Sequence, residues 1–338
     1  MIDLRSDVCA APPDAMWAAM RAAQLGWATV GEDDNVALLE RRGARLLGHE
    51  AAAFVPTCTM ANIAALLTLA APGERVVLEA SAHILLSEGE GITALAGLEP
   101  HPLRAAAGRL DPGAAAAEIE RSGASLLCLE NTHTRAGGTI LDAALTAELA
   151  TTARSLGARV HLDGARLANA AVALGVPLSL LAAPVDMVAL SLNKGLCAPF
   201  GALLAGSDVL IEEARVQLKR LGGGSVHKAG IAAAAGLLAL DSMIERLADD
   251  HRRAQELARL LDARGVRLVP ERVETNIVTA RTAGPAEPTL ARLAERGVLA
   301  LSLDGLHIRL VTHRGIGDAE VERAAQAIAE VALAGSRI

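Results

Sequence analysis

The chain has 338 residues, of which 52% are hydrophobic, with a net charge of −7 and a mean hydropathy of +0.34. Its aromatic content is 1% with no tyrosine, and its charge is acidic, which argues against nucleic acid as a partner, since that calls for a basic face and stacking rings. Alanine inflates the hydropathy, and no apolar run reaches the roughly 18 residues that span a bilayer, so a membrane protein is not expected either. The start "MIDLRSD" is charged at once and shows no secretory signal, and Cys9, Cys58, Cys128 and Cys197 form no CxxC pair. A cytoplasmic protein without a metal site is the expectation.

Taken in chain order, short β-branched runs alternate with alanine-rich helical stretches between residues 50 and 205. "AAAFVP", "RVVLEA", "SLLCLE", "ARVHLD", "DMVALS" and "GALLAG" read as strands, and "TMANIAALLTLA", "AALTAELATTARSLG" and "ARLANAAVALG" as helices. That alternation predicts an α/β layered domain with a mostly parallel sheet, whose ligands sit beyond the carboxyl ends of the strands. After "LGGGSVHKAG" a helical tract from Ala229 to Arg264 leads into "VRLVP", "ETNIVTA", "TLARLAERG", "LHIRLVTH" and "DAEVERAAQAIAEVAL", a smaller C-terminal α/β unit. The expected division is an N-terminal segment 1–12, a large domain 13–245 and a small domain 246–338.

Charge chemistry singles out one residue. The chain has only Lys194, Lys219 and Lys228 among its 32 lysines and arginines. Lysine can lose its proton when desolvated, whereas arginine effectively cannot, so a lysine kept in an arginine-rich chain suggests amine chemistry. Lys194, in "SLNKGLCAP" after a strand, is the best placed; a solvated loop lysine is the plain alternative. Asp163 ends the strand "ARVHLD" before Gly164, where a helix cap competes with a catalytic partner. Together, Lys194 and Asp163 suit pyridoxal phosphate, which needs an amine for a Schiff base and a carboxylate for its ring nitrogen. "FVPTCTMAN" runs a strand into a turn bearing Thr57, Cys58 and Thr59 that opens a helix, where free N–H groups favour an anion, unless the threonines merely cap it. His83 follows the "RVVLEA" strand, and Glu130, Asn131 and His133 lie beyond "SLLCLE"; each histidine is also readable as an ordinary polar residue.

"DLRSD" at 3–7, "GED" at 31–33, "FVPTCTMAN", "LENTHTRAGG", "HLDGARLANA", "SLNKGLCAPFGALLAG" and "IRLVTH" at 308–313 follow one another as in the low-specificity L-threonine aldolases, which the chain resembles from residue 3 to about 315. The resemblance implies a fold-type-I, pyridoxal-phosphate-dependent enzyme with a transferase-like large domain, an α/β/α sandwich. Such enzymes split β-hydroxy-α-amino acids into glycine and an aldehyde, usually as a homotetramer built from dimers. It assigns the Schiff-base lysine to Lys194, the ring-nitrogen carboxylate to Asp163, the stacking histidine to His83 and the phosphate turn to Cys58 and Thr59. It also assigns substrate-carboxylate contacts to Ser6, Arg166 and Arg309, and places His133 near the substrate hydroxyl.

Three positions depart from the family pattern. Val30 stands where the family has tyrosine, Cys58 where it has glycine, and "GGGSVHKAG" at 222–230 lacks the family's arginine, leaving His227 or Lys228 as the loop's cationic candidates. Other reactions on the same scaffold, namely β-elimination, racemisation and transamination, remain alternatives, as does a non-catalytic cofactor-binding module.

Overall fold

A computed structural model describes residues 1–27 and 31–332; Val30 lies outside them. Twelve strands are present among the described residues. They are β1 (Ile2–Asp3), β2 (Ala51–Val55), β3 (Arg75–Glu79), β4 (Glu99–Leu103), β5 (Leu126–Glu130) and β6 (Arg159–Asp163), followed by β7 (Met187–Ser191), β8 (Ala202–Gly206), β9 (Ile277–Arg281), β10 (Val298–Leu299), β11 (Leu301–Asp304) and β12 (His307–Val311).

A seven-stranded sheet in the order β2-β8-β7-β6-β5-β3-β4 organises the large domain. Neighbours pair in parallel except at β8, which runs against both β2 and β7, as the tight link from β7 through "NKGLCAPF" allows. The "EPHPL" strand β4 carries Pro100 and Pro102, which cannot donate to a ladder on both sides, and it accordingly sits at the edge. Strand residues alternate between two apolar layers. Leu126 and Cys128 face the helices Cys58–Leu69 and Asp208–Arg220, while Leu127 and Leu129 face the helices Asp34–Leu47, Ala143–Ser155, Leu167–Leu174 and Gly230–Leu238. This gives the three-layered α/β arrangement expected from the sequence, with no helix among the described residues long and apolar enough to cross a membrane.

The tract from Ala229 to Arg264, expected as one helix, is interrupted. Gly230–Leu238 widens into a π-helical turn at Ala239–Met243, and a second α-helix runs from Leu247 to Asp262. At the break, Arg246 turns its guanidinium toward Asp250 and the carbonyl of Gly195, so the interruption braces the Lys194 turn. "VRLVP", expected as a strand, contributes only the single bridge Leu268 to Ala280.

A third apolar cluster lies in the C-terminal part, joining the second half of the helix Leu247–Asp262 to β9, β12 and the helix Asp318–Ala332. Ile2 and Leu4 belong to this cluster. The N-terminal segment is stitched into it: β1 pairs in parallel with β10, and Leu4 exchanges backbone bonds with Leu299 and Val311 on either side. Leu4 is fully buried; Leu4→Ala should cost about 2–5 kcal/mol by lost burial plus the cavity left behind. Chemical denaturation checks this, and a loss below about 1 kcal/mol would mean the segment is not anchored there.

Candidate active site

The carboxyl ends of β2, β3, β5, β6 and β7 lie on one edge of the sheet, because β8 reverses direction between β7 and β2. Register aligns Glu130 with Asp163 and Asp163 with Ala189. Thr57, His83, His133, Asp163 and Lys194 therefore follow strands that end together.

Lys194 sits in the turn after β7, which closes by Cys197 N–H to Lys194 O (2.9 Å) and Ala198 N–H to Leu192 O (2.8 Å). Gly195 packs closely against the next helix: a Cβ there would meet Leu247 Cδ2 at 2.6 Å and push that side chain aside. Lys194 is half-buried and has no ion pair among the described residues, yet its charge is felt by Asp7 and by the Cys58 thiol. The same thiol feels Asp163, Glu88 and Arg166, so Cys58 lies amid the charged groups of the site; burial, helped by the two carboxylates, pushes its pKa well up and keeps it a neutral thiol.

Thr57 caps the helix Cys58–Leu69, its hydroxyl accepting the N–H of Met60 (3.1 Å). The Thr59 hydroxyl donates to Glu88 (3.2 Å). The capping alternative thus holds for the Thr57 side chain, while the first-turn N–H groups of Cys58 and Thr59 stay available to an anion. The glycine loop packs directly on this turn, since a Cβ at Gly223 would meet Met60 Sδ at 2.0 Å. His227 and Lys228 follow it on the surface, Lys228 with a left-handed φ of 62°.

Behind the site runs a buried polar network that sequence reasoning missed. Glu88 Oε1 accepts from Thr59, from the Asn62 amide (3.0 Å) and from His83 Nδ1 (3.2 Å). Asn62 in turn meets His161 (2.9 Å), two residues before Asp163 on the same face of β6. Burial lowers the His161 pKa to about 4, so its ring is neutral at pH 7. Glu88 Oε2 is buried without a partner among the described residues, and one ring nitrogen of His83 and one carboxylate oxygen each of Glu88 and Asp163 lie within 4.8 Å of one another. An orphaned carboxylate oxygen beside a second buried carboxylate is a place that needs a proton donor, and it suits a protonated ring nitrogen. Nothing in "SAHILLSEG" marks Glu88, which reads there as an ordinary polar residue.

The two histidines differ. His133 is 1% exposed, its Nε2 donating to Glu79 (3.0 Å) and its Nδ1 accepting the Ala136 N–H (3.3 Å) in the neutral ring. Burial alone would lower its pKa, but Glu130 and Glu79 outweigh burial and raise it. His83 keeps 32% of its side chain exposed, and its Nε2 has no partner among the described residues. Glu130 links the pair, accepting the His83 backbone N–H (2.7 Å) and lying 3.7 Å from His133 Nε2.

Arg166 is buried in a two-pronged pair with Asp7 (2.7 and 2.8 Å) and donates its remaining arm to Thr134 Oγ1 (3.1 Å). Although burial opposes ionisation of Asp7, the Arg166 guanidinium, Lys194 and an Asn276 hydrogen bond hold its pKa well below the usual carboxylate range. Ser6, next in chain to Asp7, caps the following turn, and Arg309 donates to the Arg5 carbonyl (3.2 Å). Arg309 Nε is buried with no acceptor among the described residues. The structure thus brings Ser6, Arg166 and Arg309 together, with Arg166 largely committed to Asp7 and Arg309 open.

The β-eliminating lyase family model matches residues 3–284. Low-specificity L-threonine aldolase 1 of Arabidopsis thaliana is 36% identical over 334 residues, covering 95% of this chain and 93% of its own. The low specificity L-threonine aldolase of Escherichia coli (strain K12) is 35% identical over 319 residues, covering 93% and 94%. A solved Leishmania major threonine aldolase, 21% identical, shares the fold with a TM-score of 0.84 over 98% of this chain and 100% of that one. The chain belongs to the β-eliminating lyase family and stands within it beside the low-specificity L-threonine aldolases. It is a carbon–carbon lyase by that membership.

A neutral buried His161 resists a proton that the unfolded chain takes up near pH 6.5, so stability is full above that value and is lost as pH falls toward about 4. Unfolding measured across that window should show the decline, and His161→Gln should make its slope shallower. An unchanged slope would contradict the neutral burial of this ring.

Proposed function

We propose that the protein binds pyridoxal 5'-phosphate and catalyses the reversible retro-aldol cleavage of L-threonine, L-allo-threonine and related β-hydroxy-α-amino acids to glycine and an aldehyde. The observation that carries this reading is the shared sheet edge: a half-buried amine without an ion-pair partner (Lys194), a strand-end carboxylate (Asp163) and an imidazole with one free nitrogen (His83) all follow strands that end there.

Lys194 is the amine that holds the cofactor, Asp163 the carboxylate for its ring nitrogen, and the Cys58 and Thr59 N–H groups the cradle for its phosphate. His227 and Lys228 add charge from the glycine loop, whose Gly223 packs on that cradle. Pyridoxal phosphate, when bound, supplies the electron sink that breaking a Cα–Cβ bond requires. Arg309, with its unsatisfied buried Nε, and Ser6 take the substrate carboxylate and fix which bond at Cα is presented for cleavage. Arg166 acts mainly by holding Asp7, and with it the N-terminal segment that carries Ser6.

His83 is the better base for the β-hydroxyl. With its Nδ1–H directed to Glu88, its Nε2 carries the lone pair and has no competing partner. His133, whose proton is held toward Glu79, serves instead to position Glu130 and through it the His83 backbone. The reading extends to a cytoplasmic homotetramer assembled as a dimer of dimers. The exposed Trp17, Leu25 and Trp27 support a contact between subunits there.

Incubation with L-threonine and with L-allo-threonine, scored for glycine and acetaldehyde, tests the activity; absence of both products from both diastereomers would end it, and pyruvate from serine would favour β-elimination. Lys194→Ala should abolish turnover together with the visible absorbance of the holoenzyme. His83→Asn should lower kcat by about 10²- to 10⁴-fold, the usual worth of a general base, and His133→Gln by less. A larger loss from the His133 variant would reverse the two roles.

A further inference from the structure

Three guanidiniums gather where the N-terminal segment, the turn after β5 and the C-terminal hairpin meet. Arg166 donates to Thr134 Oγ1, and Arg135 is the next residue along. Arg135 Nη1 reaches the carbonyl of Leu303 on β11 (3.4 Å), two residues along the strand from Leu301, which lies opposite Arg309 on β12. Arg309 closes the ring by donating to the Arg5 carbonyl. The charges are close enough to act on one another: burial first, then Arg166 and Arg135, lower the Arg309 pKa to about 10, with Asp7 opposing.

Charge here is out of balance. Asp7 has both its oxygens taken by Arg166, on which Glu130 and Asp163 also act, and of these acids Asp7 alone acts on Arg309. Neither Arg135 nor Arg309 has an ion-pair partner among the described residues, and the Arg309 Nε is buried without an acceptor. A single long bond to the neutral Leu303 carbonyl does not offset the charge of Arg135. A substrate α-carboxylate compensates one guanidinium and leaves another unmatched. A small neutral β-substituent, such as the methyl group of threonine, offers that second cation nothing.

We propose that Arg135 is a specificity-determining residue that receives a second, distal carboxylate, making β-hydroxy-α-amino dicarboxylic acids the preferred substrates of this site. The inference rests on the retro-aldol reading and narrows its substrate class. The shortest such compound is 3-hydroxyaspartate. Its cleavage breaks the Cα–Cβ bond; the electron pair stays with Cα and takes up a proton there to form a C–H bond, while the β-hydroxyl gives up its proton as the new C=O forms. The products are glycine and glyoxylate, with no oxidant or reductant involved. A planar guanidinium suits the distal carboxylate because it can donate two parallel N–H bonds to it.

Steady-state kinetics of the holoenzyme on L-threonine, L-allo-threonine and the threo and erythro forms of 3-hydroxyaspartate test the proposal. The better hydroxyaspartate isomer should exceed the better threonine isomer in kcat/KM by about ten- to a hundredfold, the worth of one charge-assisted pair in a partly dry site. In Arg135→Gln that ratio should fall by at least about tenfold, and Arg135→Lys should restore part of it. Calorimetric titration of the holoenzyme gives a readout independent of turnover: L-aspartate should bind more tightly than L-alanine, and Arg135→Gln should remove the difference. If threonine is cleaved but hydroxyaspartate is no better, or the ratio is unmoved in Arg135→Gln, the role of Arg135 is overturned and the retro-aldol reading stands. Glycine from none of the four compounds overturns both.

Discussion

The buried pair between Asp7 and Arg166 is the interaction on which the site's shape depends. Asp7 is fully buried and Arg166 is 5% exposed, so each charge is tolerable only because the other is there. The pair joins residues 159 positions apart in the chain. It draws the N-terminal segment, already stitched to β10 and β12 in the small domain, onto the start of the helix that follows β6 in the large one. Ser6 and the Arg5 carbonyl are delivered with it, and Arg309 is oriented in turn by that carbonyl. One ion pair thus sets the geometry of the carboxylate-binding side.

The other side is set by the sheet. Because β8 runs against its neighbours, the ends of β2 and β7 fall on the same edge as those of β3, β5 and β6, which brings the anion cradle and the lysine turn to the two acids and histidines. Burial then separates groups of the same type. His161, enclosed behind Asp163, is kept neutral; His133, enclosed between Glu79 and Glu130, is kept basic with its proton directed inward; His83 alone of the three is half open. The division of labour between His83 and His133 follows from these surroundings and not from the residue type.

Much of this was legible beforehand. The strands and helices of the large domain show as alternating β-branched and alanine-rich runs, and Lys194 stands out because an arginine-rich chain keeps so few lysines. Asp163 is found by its place at the end of a strand. What the sequence leaves hidden is long-range. Nothing local marks β1 as the partner of β10, or Asp7 as the counter-ion of Arg166, because both partners lie far off in the chain. The break after Leu238 escapes periodicity because a π-turn shifts helical phase without changing composition. Glu88 and His161 look like ordinary polar residues until the fold encloses them, and the commitment of Arg166 to Asp7 changes the weight between two arginines that look equivalent as motifs.

One buried ion pair holds the two domains' contributions in register. A double-mutant cycle on Asp7 and Arg166, using Asp7→Asn, Arg166→Gln and the double variant, measures it most directly through unfolding free energies. Each single change leaves a buried group without its partner and should cost about 3–5 kcal/mol, while the double variant should cost clearly less than the sum, with a coupling of about 2 kcal/mol or more. Additive losses, or single losses below about 1 kcal/mol, would contradict the account.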